Sequence, residues 1–146
     1  VRPQPRFGTV EVRIMDAQTT LADTAGLAAL VQCIVRLEVE EGAQTFDAGI
    51  PAEVLAENRF LAARDGMDAE LIEPELGERV PARGLLDELL VECRPHAEEL
   101  DCAKELETVA TLADRTGARR QLELSRSLGS LPRLVAVLAD EFLARG

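Results

Sequence analysis

Apolar and polar residues alternate near the start of the chain, where Val10, Val12 and Ile14 are separated by polar residues at positions 9, 11 and 13. A period of two is typical of a strand with one apolar and one polar face, so we predict a strand over residues 8–15. A lone strand leaves its backbone N–H and C=O groups unpaired, and the rest of the sequence supplies too few strands to complete a sheet. We therefore expect the partner strands to come from an absent amino-terminal region or from a second chain.

Helical spacing of apolar residues begins at Leu21 and continues to Leu37, with Thr19 or Thr20 as the N-cap. We expect this first helix to end over Glu38 to Gly42 and a loop to occupy residues 43–50. A second helix is predicted from Pro51 to Arg64, because proline suits a first helical position. The Asp65-Gly66 pair should end it, since glycine favours the conformation that follows a helix.

The remaining pattern predicts a small hairpin and then a series of helices. The hairpin joins Ala69–Ile72 to Arg79–Val80 through a turn at Pro74 to Gly77. The predicted helices are Ala82–Cys93, Pro95–Leu100, Ala103–Asp114, Gly117–Leu128 and Leu131–Arg145. The fold class is thus α+β and predominantly helical, with one amino-terminal strand belonging to a larger antiparallel sheet, a small hairpin and five to seven helices.

Composition and charge narrow the classes of function. The 146 residues are one domain by length, and 47% of them are hydrophobic, as in a globular protein with a core. The formal net charge is −11, and no basic face suited to nucleic acid is evident. No apolar run is long enough to span a membrane, so we expect neither a membrane span nor a signal peptide. The chain begins with Val1 rather than methionine, so we expect it to be part of a longer polypeptide.

The cysteines and the histidine do not form a recognisable site. Cys33, Cys93 and Cys102 are odd in number and widely spaced, which excludes a CxxC or Cys/His metal motif. We expect three buried thiols in a cytoplasmic protein. His96 has no partner in the sequence that would make it a general base, so we expect it to be a surface or helix-end residue.

The predicted first strand carries the most distinctive pair of charged residues. Glu11 and Arg13 are two positions apart, so strand alternation directs both side chains to the same face. A carboxylate can bind magnesium, and a guanidinium can bind phosphate. Phosphoryl transfer requires both interactions. The same two residues could equally form a cross-strand ion pair or an exposed polar face, and the pattern alone leaves these alternatives open.

Four segments resemble the second type of glutamate–cysteine ligase family, the carboxylate–amine ligases. The order and spacing of these segments match that family over nearly the whole chain. They are Gly8–Asp16 with Gln18–Leu21, Glu57–Phe60 with Ala63–Asp68, Pro81–Arg83, and Thr116–Gln121. The resemblance implies a glutamine-synthetase-like fold, of which residues 1–146 would be the carboxy-terminal portion of the catalytic domain, with the amino-terminal part of the sheet absent.

The same resemblance implies an activity, cofactors and partners. The family activates a substrate carboxylate with ATP and magnesium to an acyl phosphate, which an amine then attacks. Glu11 would be a magnesium ligand, and Arg13 would be the catalytic residue that stabilises the transferring phosphoryl group. The substrates would be glutamate or a similar carboxylate and an amine. The enzyme would be cytoplasmic, and assembly into a homo-oligomer is left open. This chain alone is expected to be inactive.

The resemblance also implies nucleotide-binding roles for Asn58, Arg59 and Arg64 on the second helix. Neighbouring residues of a helix diverge by about 100°, so Asn58 and Arg59 cannot share a face, and these polar groups could instead hold the helix to the sheet or face water. Asp65 departs from the family, which has an aromatic residue there. A different class of function also stays open, in which the chain is a non-catalytic helical domain whose first strand docks on the sheet edge of a partner.

Overall fold

The computed structural model describes residues 1–40 and 50–144, and the predicted loop over 43–50 lies almost wholly outside them. The described chain is mostly helical, with two small antiparallel sheets, which confirms the α+β class. The strands are β1 (Arg2–Gln4), β2 (Thr9–Glu11), β3 (Glu70–Ile72) and β4 (Arg79–Pro81). The helices are α1 (Leu21–Glu40), α2 (Ala52–Asp65), α3 (Ala82–Glu99), α4 (Ala103–Asp114), α5 (Gly117–Leu128) and α6 (Leu131–Ala144).

The predicted first strand is present but shorter than expected, and it has a partner within the described chain. β2 covers only Thr9–Glu11 of the predicted 8–15, and β1 pairs with it in antiparallel register, with Gln4 opposite Thr9. Proline residues at positions 3 and 5 obscured β1 in the sequence, because proline is confined to strand edges and ends. Gly8, with φ of 62°, allows the tight turn between the strands. A two-stranded hairpin is marginal in isolation, so membership of a larger sheet stays a prediction.

Three helices, α1, α3 and α4, form the main hydrophobic core. Burial falls on one stripe of each helix, as the apolar spacing predicted. The buried members are Ala29, Cys33, Cys93, Ala97, Cys102, Leu106 and Val109. All three cysteines lie in this core as free thiols, which confirms the expectation of three buried thiols.

The predicted break at Pro95 was wrong, because α3 is a single helix that passes through it. Proline removes one backbone hydrogen bond and usually costs about 3 kcal/mol inside a helix. Here Cys93 on one side and His96 and Ala97 on the other are buried in the core, so packing holds both halves of the helix in line. The helix ends at Glu99 with Leu100 as its C-cap, and Asp101 follows in the left-handed region with φ of 53°.

His96 lies in the last turn of α3, as expected of a helix-end residue, but its side chain is buried rather than exposed. Its Nδ1 is 3.6 Å from a carboxylate oxygen of Glu40 at the end of α1. Arg36 of α1 pairs with that same Glu40 and with Glu99 of α3. The Arg36–Glu99 ion pair and the contact of His96 with Glu40 join the carboxy-terminal ends of α1 and α3.

The second helix and its hairpin agree with the sequence prediction within one residue. Gly66 caps α2 with φ of 61°, and a 3₁₀ turn over Gly66–Asp68 leads into β3. β4 pairs with β3 and runs directly into α3. The hairpin thus connects α2 to the three-helix core.

Helices α5 and α6 form a helical hairpin that packs chiefly on itself. Thr116 accepts a hydrogen bond from the backbone N–H of Arg119 and caps α5, and Gly129 ends α5 in the left-handed conformation. Arg120 of α5 pairs with Glu141 of α6. Arg119 reaches away from this pair of helices to Asp68, with 2.8 Å between Nη2 and Oδ2.

Among the described residues, no helix combines the length and apolar character that crossing a membrane would require.

Helices α1 and α4 approach closely at Gly26 of α1. A Cβ at this position would lie 2.1 Å from Oγ1 of Thr108 and 3.1 Å from the carbonyl oxygen of Glu105, both on α4. The Thr108 hydroxyl also donates a hydrogen bond of 2.7 Å to that carbonyl. We expect Gly26→Ala to lower the free energy of unfolding by about 1–3 kcal/mol, the usual range for overpacking.

Gly84→Ala in α3 is the matched control, because a Cβ at Gly84 would meet nothing within 4 Å. Alanine favours helix over glycine by about 1 kcal/mol, so this variant should be unchanged or more stable. Urea denaturation followed by circular dichroism measures both changes. Equal stability of the two variants would show that α1 and α4 do not approach closely at Gly26.

Candidate functional site

Glu11 and Arg13 lie on the same side of the first hairpin, as strand alternation predicted. Arg13 Nε donates to Glu11 Oε1 at 2.7 Å, and the two side chains are 69% and 32% exposed. The pair is therefore open to solvent rather than buried. An exposed pair of this kind contributes at most about 1 kcal/mol to stability, so its stabilising effect is small.

Gln4 is a third member of this cluster, and the sequence interpretation missed it. Its Nε2 donates to the other carboxylate oxygen of Glu11 at 3.1 Å. The register places Gln4 opposite Thr9, on the same face as Glu11 two residues further along. Strand alternation would have identified Gln4, had β1 been recognised in the sequence.

The surroundings of Glu11 do not amount to a metal site on their own. Both of its oxygens already accept hydrogen bonds, one from a guanidinium. Within residues 1–40 and 50–144, no group of three or more His, Cys, Asp or Glu side chains is arranged to hold a metal ion. A Mg²⁺ ion commonly takes one or two protein carboxylates together with phosphates and water, so Glu11 supplies at most part of such a ligand set.

Asn58 connects α2 to the second hairpin. Its Nδ2 donates to the carbonyl oxygen of Ile72 at 2.8 Å, and its Oδ1 accepts from the N–H of Ile72 at 2.7 Å. The side chain is half-buried, and both of its polar groups form hydrogen bonds with the backbone of β3. This is the helix-to-sheet role that the sequence left open for Asn58, and the neighbouring Arg59 is exposed on another face of α2.

Arg64 is engaged by the next residue in the chain. Its Nε and Nη2 donate to the two carboxylate oxygens of Asp65 at 2.8 and 2.6 Å. The guanidinium also lies 5.4 Å from the ring centre of Phe60. Hydrogen bonding to Arg64 lowers the pKa of Asp65, and hydrogen bonding to Asp65 raises the pKa of Arg64. Asp65, where the sequence resemblance led us to expect an aromatic residue, thus gives Arg64 an internal carboxylate partner.

A concavity of about 420 Å³ lies beside this pair, between the end of α2 and the second hairpin. Its charged lining is mixed, with more acidic than basic groups. The lining residues are Glu57, Leu61, Arg64, Asp65, Asp68, Glu70 and Arg79. Arg119 of α5 reaches the rim through its pair with Asp68, so segments 57–68 and 116–121 of the sequence meet at this point.

The predicted site residues therefore occupy two places. Glu11 and Arg13 are on the first hairpin, whereas Asn58, Arg59 and Arg64 are on α2. Throughout the described parts of the chain, no hydrogen bond or ion pair connects one group to the other. The predicted placement of all five residues around one nucleotide stays a prediction.

Asn58→Ala should destabilise the protein, because it removes two hydrogen bonds to the backbone of Ile72 and leaves half-buried groups unpaired. We expect a loss of about 1–3 kcal/mol in the free energy of unfolding. Arg59→Ala is the matched control at the adjacent, exposed position and should change stability by less than about 0.5 kcal/mol. Thermal and urea denaturation measure both. An Asn58→Ala variant as stable as the Arg59→Ala variant would contradict a structural role for Asn58.

Comparison with known proteins identifies a family that covers most of the chain. The profile of glutamate–cysteine ligase family 2 matches residues 1–136. A candidate glutamate–cysteine ligase 2-1 of Rubrobacter xylanophilus is 36% identical over 96% of this chain, and a candidate glutamate–cysteine ligase 2 of Thermobifida fusca is 38% identical over 99% of it. A candidate glutamate–cysteine ligase 2-3 of Rubrobacter xylanophilus is 40% identical over 96% of the chain. The chain spans 37% of the length of each of these relatives. It belongs to glutamate–cysteine ligase family 2.

Proposed function

We propose that this chain is part of an ATP-dependent carboxylate–amine ligase that joins glutamate, or a similar carboxylate, to an amine. Membership of glutamate–cysteine ligase family 2 over residues 1–136 is the observation that carries the proposal. The relatives bear names of glutamate–cysteine ligases, which supports a ligase of this kind. In the proposed reaction the carboxylate takes the terminal phosphoryl group of ATP, and the amine then displaces phosphate from the acyl phosphate.

Arg13 is the residue of this chain that we assign to the phosphoryl group. Its described contact with Glu11 uses Nε, and the side chain is 69% exposed, so the terminal N–H groups of the guanidinium remain for a phosphate. A planar guanidinium binds phosphate oxygens with two parallel hydrogen bonds, which an ammonium group cannot reproduce. A preorganised donor of this kind stabilises the charge that develops as the phosphoryl group is transferred.

Glu11 is proposed to contribute one oxygen ligand to a magnesium ion in the intact protein. The described residues do not complete such a site, so further ligands would come from parts of the polypeptide that the relatives have and this sequence does not include. Arg59 and Arg64 are proposed to support nucleotide binding. The Asp65 carboxylate would have to release Arg64 before this guanidinium could take a phosphate. The structural contacts of Asn58 leave it the weakest of these nucleotide-binding assignments.

The first hairpin is proposed to join a larger sheet. Phe7 in the turn, Val10 in β2 and Ile14 just after β2 are 70%, 57% and 72% exposed, although large apolar residues are commonly buried. Strands from the rest of the polypeptide, or from a second copy in a homo-oligomer, would cover them. The same exposure also supports the second candidate, a non-catalytic domain whose hairpin docks on another protein. The three free thiols favour a cytoplasmic location.

Arg13→Lys in the intact protein should lower the turnover number by about 100- to 1000-fold, the typical effect of removing one preorganised donor. Folding should be unaffected, because the Arg13 side chain is exposed. Glu11→Gln should instead raise the magnesium concentration needed for half-maximal activity. Arg6→Lys, in the turn of the same hairpin, is the matched control and should retain full activity. Phosphate release from ATP in the presence of glutamate and a panel of amines is the measurement.

Near-normal turnover of both Arg13→Lys and Glu11→Gln would show that the site is assigned to the wrong residues. In that case the pair would be an ordinary surface ion pair.

The chain of residues 1–146 alone should show no ligase activity. One carboxylate and one guanidinium cannot hold a nucleotide together with its metal ions. In the same phosphate-release assay, we expect a rate at the background of the buffer. Turnover of about 1 per second or faster, which is ordinary for enzymes, would show that these residues are sufficient for catalysis.

A further inference from the structure

Two of the three core cysteines are in direct contact, and the proposed ligase reaction uses neither. The Sγ atoms of Cys33 and Cys102 lie 3.9 Å apart, although the two residues are separated by 69 positions in the sequence. Cys33 lies within α1, and Cys102 is the residue immediately before α4. Cys93, in α3, forms no such sulfur–sulfur contact among the described residues. The fold therefore places the sulfur atoms of only one pair of these three buried thiols, Cys33 and Cys102, in direct contact.

We propose that Cys33 and Cys102 are an oxidisable thiol pair that a peroxide converts into an intramolecular disulfide, whereas Cys93 remains a thiol. The bond would join the middle of α1 to the start of α4, across the centre of the three-helix core. This inference does not depend on the ligase proposal, because it concerns only the described core.

The reaction has two steps, oxidation of one thiol by the peroxide and attack by the other thiol, and solvent exposure determines which cysteine is oxidised first. Cys102 is 8% exposed and Cys33 is 0% exposed, so a peroxide in solution reaches Cys102 first. Hydrogen peroxide transfers one oxygen atom to the Cys102 sulfur, giving a sulfenic acid and one water molecule. Cys33 then attacks that sulfur, the S–S bond forms, and the sulfenic oxygen leaves as a second water molecule with the proton of the Cys33 thiol. The two thiols together lose two electrons, and the peroxide is reduced.

The local backbone permits the sulfur atoms to approach. A disulfide bond is about 2.05 Å long, so the two sulfur atoms must move closer by about 1.9 Å. Cys102 lies in the short connection between α3 and α4, with φ of −130° and ψ of 20°, rather than inside a helix. Asp101, which precedes it, is already in the sparsely populated left-handed region. This connection can shift more readily than α1, in which Cys33 is fixed.

The raised pKa of the Cys33 thiol makes disulfide formation slow, and the contact with Cys102 determines which cysteine Cys33 reacts with. Burial and the neighbouring Cys102 raise the pKa of Cys33 to about 11, so almost none of it is thiolate at neutral pH. Free peroxide therefore reacts poorly with Cys33 directly. Cys33 instead resolves an oxidised Cys102 with which it is already in contact, and this step is slow because it needs the same thiolate. Burial also raises the pKa of Cys93, which has no sulfur neighbour in hydrogen-bonding contact to resolve an oxidised form.

The test is a peptide map of the folded chain after treatment with hydrogen peroxide. The reduced protein is exposed to peroxide, quenched, unfolded in the presence of N-ethylmaleimide and digested without reductant. We expect a single linked pair of peptides containing Cys33 and Cys102, with N-ethylmaleimide on Cys93 alone. The thermal midpoint of the oxidised protein should rise by roughly 5–15 °C, because the bond closes a long loop of the unfolded chain.

Cysteine variants provide matched controls. Cys93→Ser should still form the disulfide, whereas Cys33→Ser and Cys102→Ser should not. If a variant does not fold, as judged by circular dichroism, the map of the unaltered protein decides the question. Three alkylated cysteines after treatment, a linkage that involves Cys93, or oxidation of Cys102 beyond the sulfenic acid without a link to Cys33 would overturn the proposal.

Discussion

The close approach of α1 and α4 at Gly26 is the constraint on which the rest of the described fold depends. Without a side chain there, the backbone of α1 comes within contact distance of the Thr108 hydroxyl and the Glu105 carbonyl. That approach brings Ala29 and Cys33 of α1 against Leu106 and Val109 of α4, and α3 closes the remaining side with Cys93 and Ala97. The core consists of small and medium-sized side chains, as expected of a sequence in which all four aromatic residues are phenylalanine. Such a core gains its stability from the short distance between helices rather than from large buried rings.

Much of this architecture was predictable from the sequence, because periodicity and end signals are local properties. The helices over 21–40, 52–65, 103–114 and 117–128 follow from apolar spacing with threonine, proline and glycine near their ends. The prediction at Pro95 was wrong because local sequence rules treat proline as a helix breaker. In the folded chain, burial of His96 and Ala97 in the core stabilises the helix by more than proline destabilises it. β1 was missed for a related reason, since its prolines are acceptable only on an edge strand, and that is a property of the folded hairpin.

The candidate site was less predictable, because side-chain partners depend on which elements meet in space. Strand alternation correctly placed Glu11 and Arg13 on one side, but it could not identify Gln4, which comes from the neighbouring strand. Asn58 and Arg64 were selected by family resemblance, and their described partners are Ile72 and Asp65. Residues 57–68 meet Arg119 beside a concavity whose charge is mixed.

The ion pair between Arg119 and Asp68 affects how readily helices α5 and α6 separate from the rest of the described fold. Helices α5 and α6 pack chiefly on each other, and this exposed ion pair is one of their connections to the segment that follows α2. Interactions between exposed charges weaken as dissolved ions screen them, whereas burial of apolar surface does not. Amide hydrogen exchange in α5 and α6 should therefore accelerate with increasing ionic strength, while the amides around Cys33 and Val109 stay protected. The carboxy-terminal helices would then behave as a separate cooperative unit, and ionic strength would control how often it detaches from the core.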